Sequence, residues 1–149
     1  MSEVRIPEEI EAVATTAVNA AFTVHRALGP GLLESAYSEC LAIELVHSGL
    51  RIQREVALPL TYRGQTISNA YRLDLVINDQ LLIELKTVEA IQPVHRVQLT
   101  TYLRLMRLPL GLLINFNVPL IKDGINRVLN LDFRNVASAE AFAPSRLRA

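Results

Sequence analysis

The apolar positions along this chain change period several times, and each change marks an element. Ile10, Val13, Ala17, Ala21, Val24 and Leu28 recur at helical spacing, which predicts a first helix from about Pro7 to Leu28. Pro7 suits a first helical position, and Glu8, Glu9 and Glu11 favour the positive end of the helix dipole. Gly29-Pro30-Gly31 stops it. Leu33, Ala36, Tyr37, Cys40, Leu41 and Glu44 carry a second helix from about Leu32 to His47, ended by Ser48 and by Gly49 as a left-handed cap. Arg51 to Tyr62 has strand character broken by Pro59, the mark of an edge strand or a bulge. Arg63-Gly64 is a turn. Tyr71 to Lys86 reads as two apolar strands joined around Asn78-Asp79. A third helix follows from Gln92 to Met106, bracketed by Pro93 and Pro109, with Val94, Val97, Thr101, Leu105 and Leu108 as its least polar line. Leu110 to Phe116 is apolar throughout, as expected of a buried central strand. Val118 to Gly124 is a loop and Ile125 to Leu131 a last strand. From Asp132 the pattern fades into a surface segment, with a loosely ordered tail expected from about 135. The order ααβββαββ predicts an α/β fold, a mixed sheet flanked by helices.

Asp74 interrupts the first apolar strand of the hairpin, sharing its face with Arg72, and Glu84 with Lys86 interrupts the second. Side chains alternate across a strand, so Glu84 and Lys86 share a face with Leu82. Whether Asp74 joins them depends on the register. A two-residue turn would set Asp74 opposite Ile83, on the wrong face. A three-residue loop, Asn78 to Gln80, pairs Ile77 with Leu81 and so Asp74 with Glu84. A one-residue slip flips every side chain, and the odd loop, a turn plus bulge, is the one expected.

Composition changes the picture in a few places. A chain of 149 residues is expected to form one domain spanning 1–149. The net charge is zero, so a nucleic-acid partner needs a local patch rather than a global field. Cys40 is the only cysteine, which excludes an internal disulfide and a cysteine-based zinc site. The start, MSEVRIPEEIEA, lacks the features of a signal peptide, and the apolar stretches are too short to span a bilayer. The expectation is a cytoplasmic protein with no membrane partner. Of 15 basic residues only Lys86 and Lys122 are lysines. A chain that otherwise uses Arg keeps at Lys86 a compact ammonium, a point charge rather than a planar fork.

An Asp facing a Glu-x-Lys on the next strand is a kit for metal-assisted phosphodiester hydrolysis. Two carboxylates can hold Mg2+ or Mn2+ while the ion keeps several waters. The metal activates a water and offsets charge on the phosphate. A lysine beside it orients that water or stabilises the developing oxyanion, and the Leu85 carbonyl offers a further oxygen. Taken alone, the three residues also fit a buried salt bridge.

Asp74, Glu84, Leu85 and Lys86 resemble the motif of the PD-(D/E)xK nuclease superfamily, of restriction-endonuclease-like fold. Gly31-Leu32-Leu33-Glu34-Ser35-Ala36-Tyr37 resembles the pattern that names its GxxExxY family, and Gln98-x-x-x-Tyr102 follows downstream, so the likeness runs from about His25 to Leu129. Leu73 stands where the superfamily's name has proline. The resemblance implies that Asp74 and Glu84 bind the metal with the Leu85 carbonyl, and that Lys86 is the catalytic lysine. It implies that Glu34 reaches the metal from the helix before the sheet, that Gln98 faces the active site, and that Tyr37 and Tyr102 support it. The function implied is a Mg2+- or Mn2+-dependent nuclease, acting on DNA ahead of RNA. A non-catalytic nucleic-acid-binding or scaffold protein, and a metal-dependent hydrolase of a small phosphorylated molecule, are the alternatives. A homodimer is expected, since closed two-fold pairs are the commonest assembly and a duplex has two strands to cut.

Overall fold

Three helices sandwich a five-stranded mixed sheet whose strands lie in sequence order. The computed structural model describes residues 4–133; the tail expected from about 135 lies outside them. The elements are α1 (Glu8–Leu28), α2 (Glu34–His47), β1 (Ile52–Tyr62), β2 (Gln65–Ile77), β3 (Leu81–Lys86), α3 (Pro93–Met106), β4 (Leu110–Asn115) and β5 (Ile125–Leu129). The predicted order and architecture hold.

The first helix places Glu8, Glu9 and Glu11 in its first turn, and Gly29, at φ 67°, caps its end by donating its N–H to the His25 carbonyl. Its buried stripe is small: Ala14, Ala17, Ala20 and Ala21 beside Ile10, Val13 and Val24. A helix so faced can lie close against its neighbours, and α1 and α2 together cover one side of the sheet with Leu75, Ile77, Ile83, Leu85, Leu112 and Ile114. The third helix covers the other side, over Leu82, Leu113 and Val128. Both faces of β3 and β4 are therefore dry, which is why their sequences read as unbroken apolar runs.

Two faces differ from expectation. The second helix begins at Glu34 and buries Tyr37, Leu41, Ala42 and Leu45, while Leu33 is exposed. The third buries Leu99, Leu103 and Met106 and leaves Val94, Val97 and Leu105 exposed. That helix is apolar on two sides, and the least polar line is not the one the sheet covers.

The hairpin register is the predicted one. Ile77 pairs with Leu81, Val76 with Leu82 and Leu75 with Ile83. Asn78 (φ 50°) and Asp79 (φ 57°) take left-handed backbone in the loop, and the Gln80 N–H closes it onto the Ile77 carbonyl at 2.8 Å. The β2–β3 ladder stops after those three pairs. β2 continues towards its start alongside β1, with Leu73 opposite Val56. The sheet thus opens into a fork between β2 and β3, immediately past Leu75 and Ile83.

A second irregularity lies beside the fork. On β1 the backbone of Glu55 has φ 50°, uncommon for a residue with a Cβ. Before it, Ile52 packs with the α1/α2 side; after it, Val56 and Leu58 pack with the α3 side. On β2 the same exchange separates Leu75 from Leu73. Both strands change faces at the level of Asp74.

Candidate active site

The fork releases backbone groups that a continuous ladder would have paired, and two carboxylates take their place. Asp74 donates its N–H to Glu84 Oε1 at 3.1 Å, and Leu85 donates its N–H to Asp74 Oδ2 at 2.9 Å. Each strand's acid thus grips the other strand's main chain. The N–H and C=O of one residue in a strand point towards the same neighbour, so the Leu85 carbonyl is directed at the gap as well.

Glu84 is 8% exposed, and its carboxyl is pushed up to about 9 from 4.5. Burial is the main cause and the Asp74 carboxylate the next; a hydrogen bond with the Asp74 carboxyl adds to the rise, while the Asp74 N–H and Lys86 oppose it. Two carboxyl groups this close hold either a proton or a cation between them.

Glu34 stands at the rim. With Ser35, Ser38, Asp74 and Leu85 it lines a cleft of about 260 Å³ at the fork. Its carboxyl is raised by partial burial and then by Asp74, with Lys86 pulling the other way. Tyr102, on α3, has its hydroxyl raised by burial, by Glu84, by Asp74 and by Tyr71, whose ring lies 5.5 Å from its own. The structure therefore brings Asp74, Glu84 and Leu85 into contact, and sets Lys86, Glu34 and Tyr102 within electrostatic reach of them.

Lys86 ends β3 opposite Asn115 of β4. Among the described residues the ion pairs are Arg51–Asp79, Arg54–Glu39, Arg72–Glu55, Arg104–Asp132 and Arg127–Glu11. None involves Asp74, Glu84 or Lys86, so the three do not form the salt bridge that their sequence alone permits. Gln98 is exposed on α3 and makes no hydrogen bond to these acids. Tyr37 is fully buried, stacked on Phe116 at 4.7 Å. Its hydroxyl donates to the Gly29 carbonyl and accepts from the Leu32 N–H, which pins the glycine-rich loop ahead of Glu34. Its work is structural.

Sequence reasoning did not single out Arg54 or Glu55, yet both line the cleft. Adjacent residues of a regular strand face opposite sides; the left-handed backbone at Glu55 removes that alternation. Arg54 donates to Glu39 Oε2 at 3.1 Å and to Ser38 Oγ at 3.2 Å, tying β1 to the helix that carries Glu34. The one available signal was a pair of adjacent opposite charges, Arg54 and Glu55, inside a strand that carries no other charge.

Among the described residues no three His, Cys, Asp or Glu side chains converge tightly enough to cage an ion. The donor set at the fork nevertheless suits a hard divalent cation. It consists of two carboxylates and a carbonyl, all oxygen, and its like charges are costly without a counter-charge.

A mixed sheet with this order, flanked by helices and carrying an acid pair at a strand fork, is a restriction-endonuclease-like domain. Residues 11–128 match the family model of the PD-(D/E)XK nuclease superfamily, and the chain belongs to that superfamily. Neither a curated protein nor a solved structure shows significant similarity to it.

Proposed function

We propose that the chain is a divalent-metal-dependent nuclease of the GxxExxY family, hydrolysing phosphodiester bonds in DNA, with RNA the lesser substrate, and acting in the cytoplasm as a homodimer. The observation that carries the reading is the mutual grip of Asp74 and Glu84 at the fork, which holds two carboxyl groups together against their own repulsion. Below about pH 9 a proton on Glu84 relieves that repulsion in the metal-free protein, and a bound cation would take the proton's place. Membership of the nuclease superfamily supports the same chemistry, and the glycine loop, Glu34 and Tyr37 match the family's motif in order and spacing.

Asp74 and Glu84, with the Leu85 carbonyl, are the residues that would hold Mg2+ or Mn2+, and Glu34 reaches in from the rim. When bound, the ion supplies Lewis-acid activation of water and neutralises phosphate charge. Lys86 orients the attacking water and donates to the oxyanion that develops on the phosphate. Gln98 contacts the substrate from the exposed side of α3. Tyr102 closes the α3 side of Glu84 against water. Calorimetric titration with Mn2+, beside cleavage of plasmid DNA, tests the reading: Asp74→Ala should lose both, and a parent that binds no Mn2+ would refute it.

One observation favours the non-catalytic alternative. Both carboxylates already satisfy backbone N–H groups, so they have a structural task without any metal. On that reading Asp74→Ala lowers the melting temperature and Mn2+ never raises it.

A further inference from the structure

Past Pro59 the β1–β2 hairpin leaves the body of the sheet as an arm. Pro59 alone faces residues 68–70 across the irregularity, and the pairing resumes as Leu60–Ile67, Thr61–Thr66 and Tyr62–Gln65. Arg63 (φ 49°) and Gly64 (φ 76°) make the turn at the tip. Residues 61–69 are all exposed. Exposure at Tyr62 is 66% and at Ile67 50%, so the tip buries neither of its large apolar side chains. Leu60, Tyr62, Gln65 and Ile67 fall on one face, and Thr61 and Thr66 on the other.

The charge pattern of this arm departs from the rest of the chain. Residues 56–73 contain no Asp or Glu, although the protein has 15 acids. What the arm offers instead is guanidinium, amide and hydroxyl: Arg63, Gln65, Asn69, Thr61, Thr66 and Ser68. Of its two arginines, Arg72 is held by Glu55 at 3.3 Å, whereas Arg63 is at the tip. The arm is a donor-rich, acid-free ribbon joined directly to an acidic cleft, which is the complement of a polyanion.

Its dimensions fit one form of that polyanion. The major groove of B-form DNA, about 12 Å wide, admits a two-stranded ribbon. The groove of A-form RNA is too deep and narrow. The β1 strand alongside sets the reach: seven steps from Tyr62 to Glu55, opposite Gln65 and Asp74, at roughly 3.3 Å each put the tip about 23 Å from the acid pair, about two-thirds of the roughly 34 Å of one duplex turn.

We propose that the arm at residues 60–67 is a duplex-DNA contact element, lying in the major groove about two-thirds of a turn from the acid pair. It rests on the proposed nucleic-acid substrate for its partner, and gives that substrate a form: B-DNA rather than RNA or a single strand.

The test is fluorescence anisotropy of the full chain in EDTA, with labelled DNA duplexes of about 6 base pairs, closed by a loop, and about 21 base pairs, roughly half a turn and two turns. The variant is Tyr62→Thr with Arg63→Asn; asparagine tolerates the left-handed turn, and threonine suits the strand. The variant should bind the longer duplex about ten- to a hundred-fold more weakly, bind the shorter one like the parent, and show a salt slope smaller by about one. Should it melt early, Gln65→Ala with Ile67→Thr carries the same comparison. Equal affinity of parent and variant for the longer duplex overturns the proposal, as does a parent that binds no duplex or prefers duplex RNA. A parent dimer that the variant dissolves, seen by light scattering, makes the arm a self-association surface and also overturns it. Cleavage is scored separately: arm-dependent binding without cleavage leaves this proposal standing and removes the nuclease reading, and cleavage with arm-independent binding does the reverse.

Discussion

Glu84 carries an acid's cost in the place where an acid is least welcome. Its folded-state value of about 9 lies above the ordinary 4.5, so the metal-free native state binds a proton that the unfolded chain has released. Stability should therefore be greatest below pH 4.5 as far as this group is concerned, and should fall as pH rises through the window up to about 9. Glu84→Gln keeps an oxygen for the Asp74 N–H and removes the charge. In EDTA it should melt above the parent at alkaline pH, with the gap closing as pH falls; a parent whose melting temperature is flat across the window would contradict this. Lys86 separates the chemistry from the scaffold. Lys86→Ala should keep its stabilisation by Mn2+ while losing about 10²–10³ in rate, and Lys86→Arg should not restore it, since a guanidinium cannot occupy the ammonium's place. Two glycines offer a packing comparison. A Cβ on Gly124 would clash with the Asn115 carbonyl oxygen, part of the backbone, whereas one on Gly111 meets the Leu99 side chain at 3.0 Å. Denaturant midpoints should show Gly124→Ala costing about 1–3 kcal/mol or more and Gly111→Ala less, because a side chain needs to give by only a few tenths of an ångström where the other clash is with main chain.

Among the elements, α3 shows where a sequence pattern runs out. Its apolar residues fall on two faces, Leu99-Leu103-Met106 and Val94-Val97-Leu105, and periodicity marks both. Only the sheet beneath decides which is buried. Leu103→Ala should cost about 2–5 kcal/mol and Val97→Ala no more than about 0.5, which urea titration can rank. The β2–β3 hairpin is the opposite case. Its odd loop was readable because one register alone puts Asp74 and Glu84 together, and an acid pair needs a partner. How far the ladder extends was not readable, since nothing in Leu73 or Leu85 announces that the strands part there. The kink at Glu55 was equally hidden, because a left-handed glutamate has no sequence signature. The acids of the site were thus legible, and the arginine brought beside them by that kink was not.

At the scale of the molecule, the described residues leave an apolar stripe uncovered on α3, with Val94 57%, Val97 62% and Leu105 40% exposed. Among the described residues no helix is long and apolar enough to cross a membrane. The proposed dimer would use the stripe: light scattering should give twice the chain mass for the parent and a monomer for Val97→Glu, and a monomeric parent at micromolar concentration would remove the proposal. The fork has a consequence at this scale too. Three residue pairs are all the main-chain ladder that joins β1 and β2 to β3, β4 and β5. The sheet is in effect two plates riveted by a pair of carboxylates. Hydrogen–deuterium exchange should find the amides of Asp74 and Leu85 opening well before those of Ile83 or Leu112, as befits a seam of low local stability. A cation seated between the acids would tighten that seam and slow exchange on both plates at once. Substrate-level events at the fork and the cohesion of the fold would then be read from the same two amides.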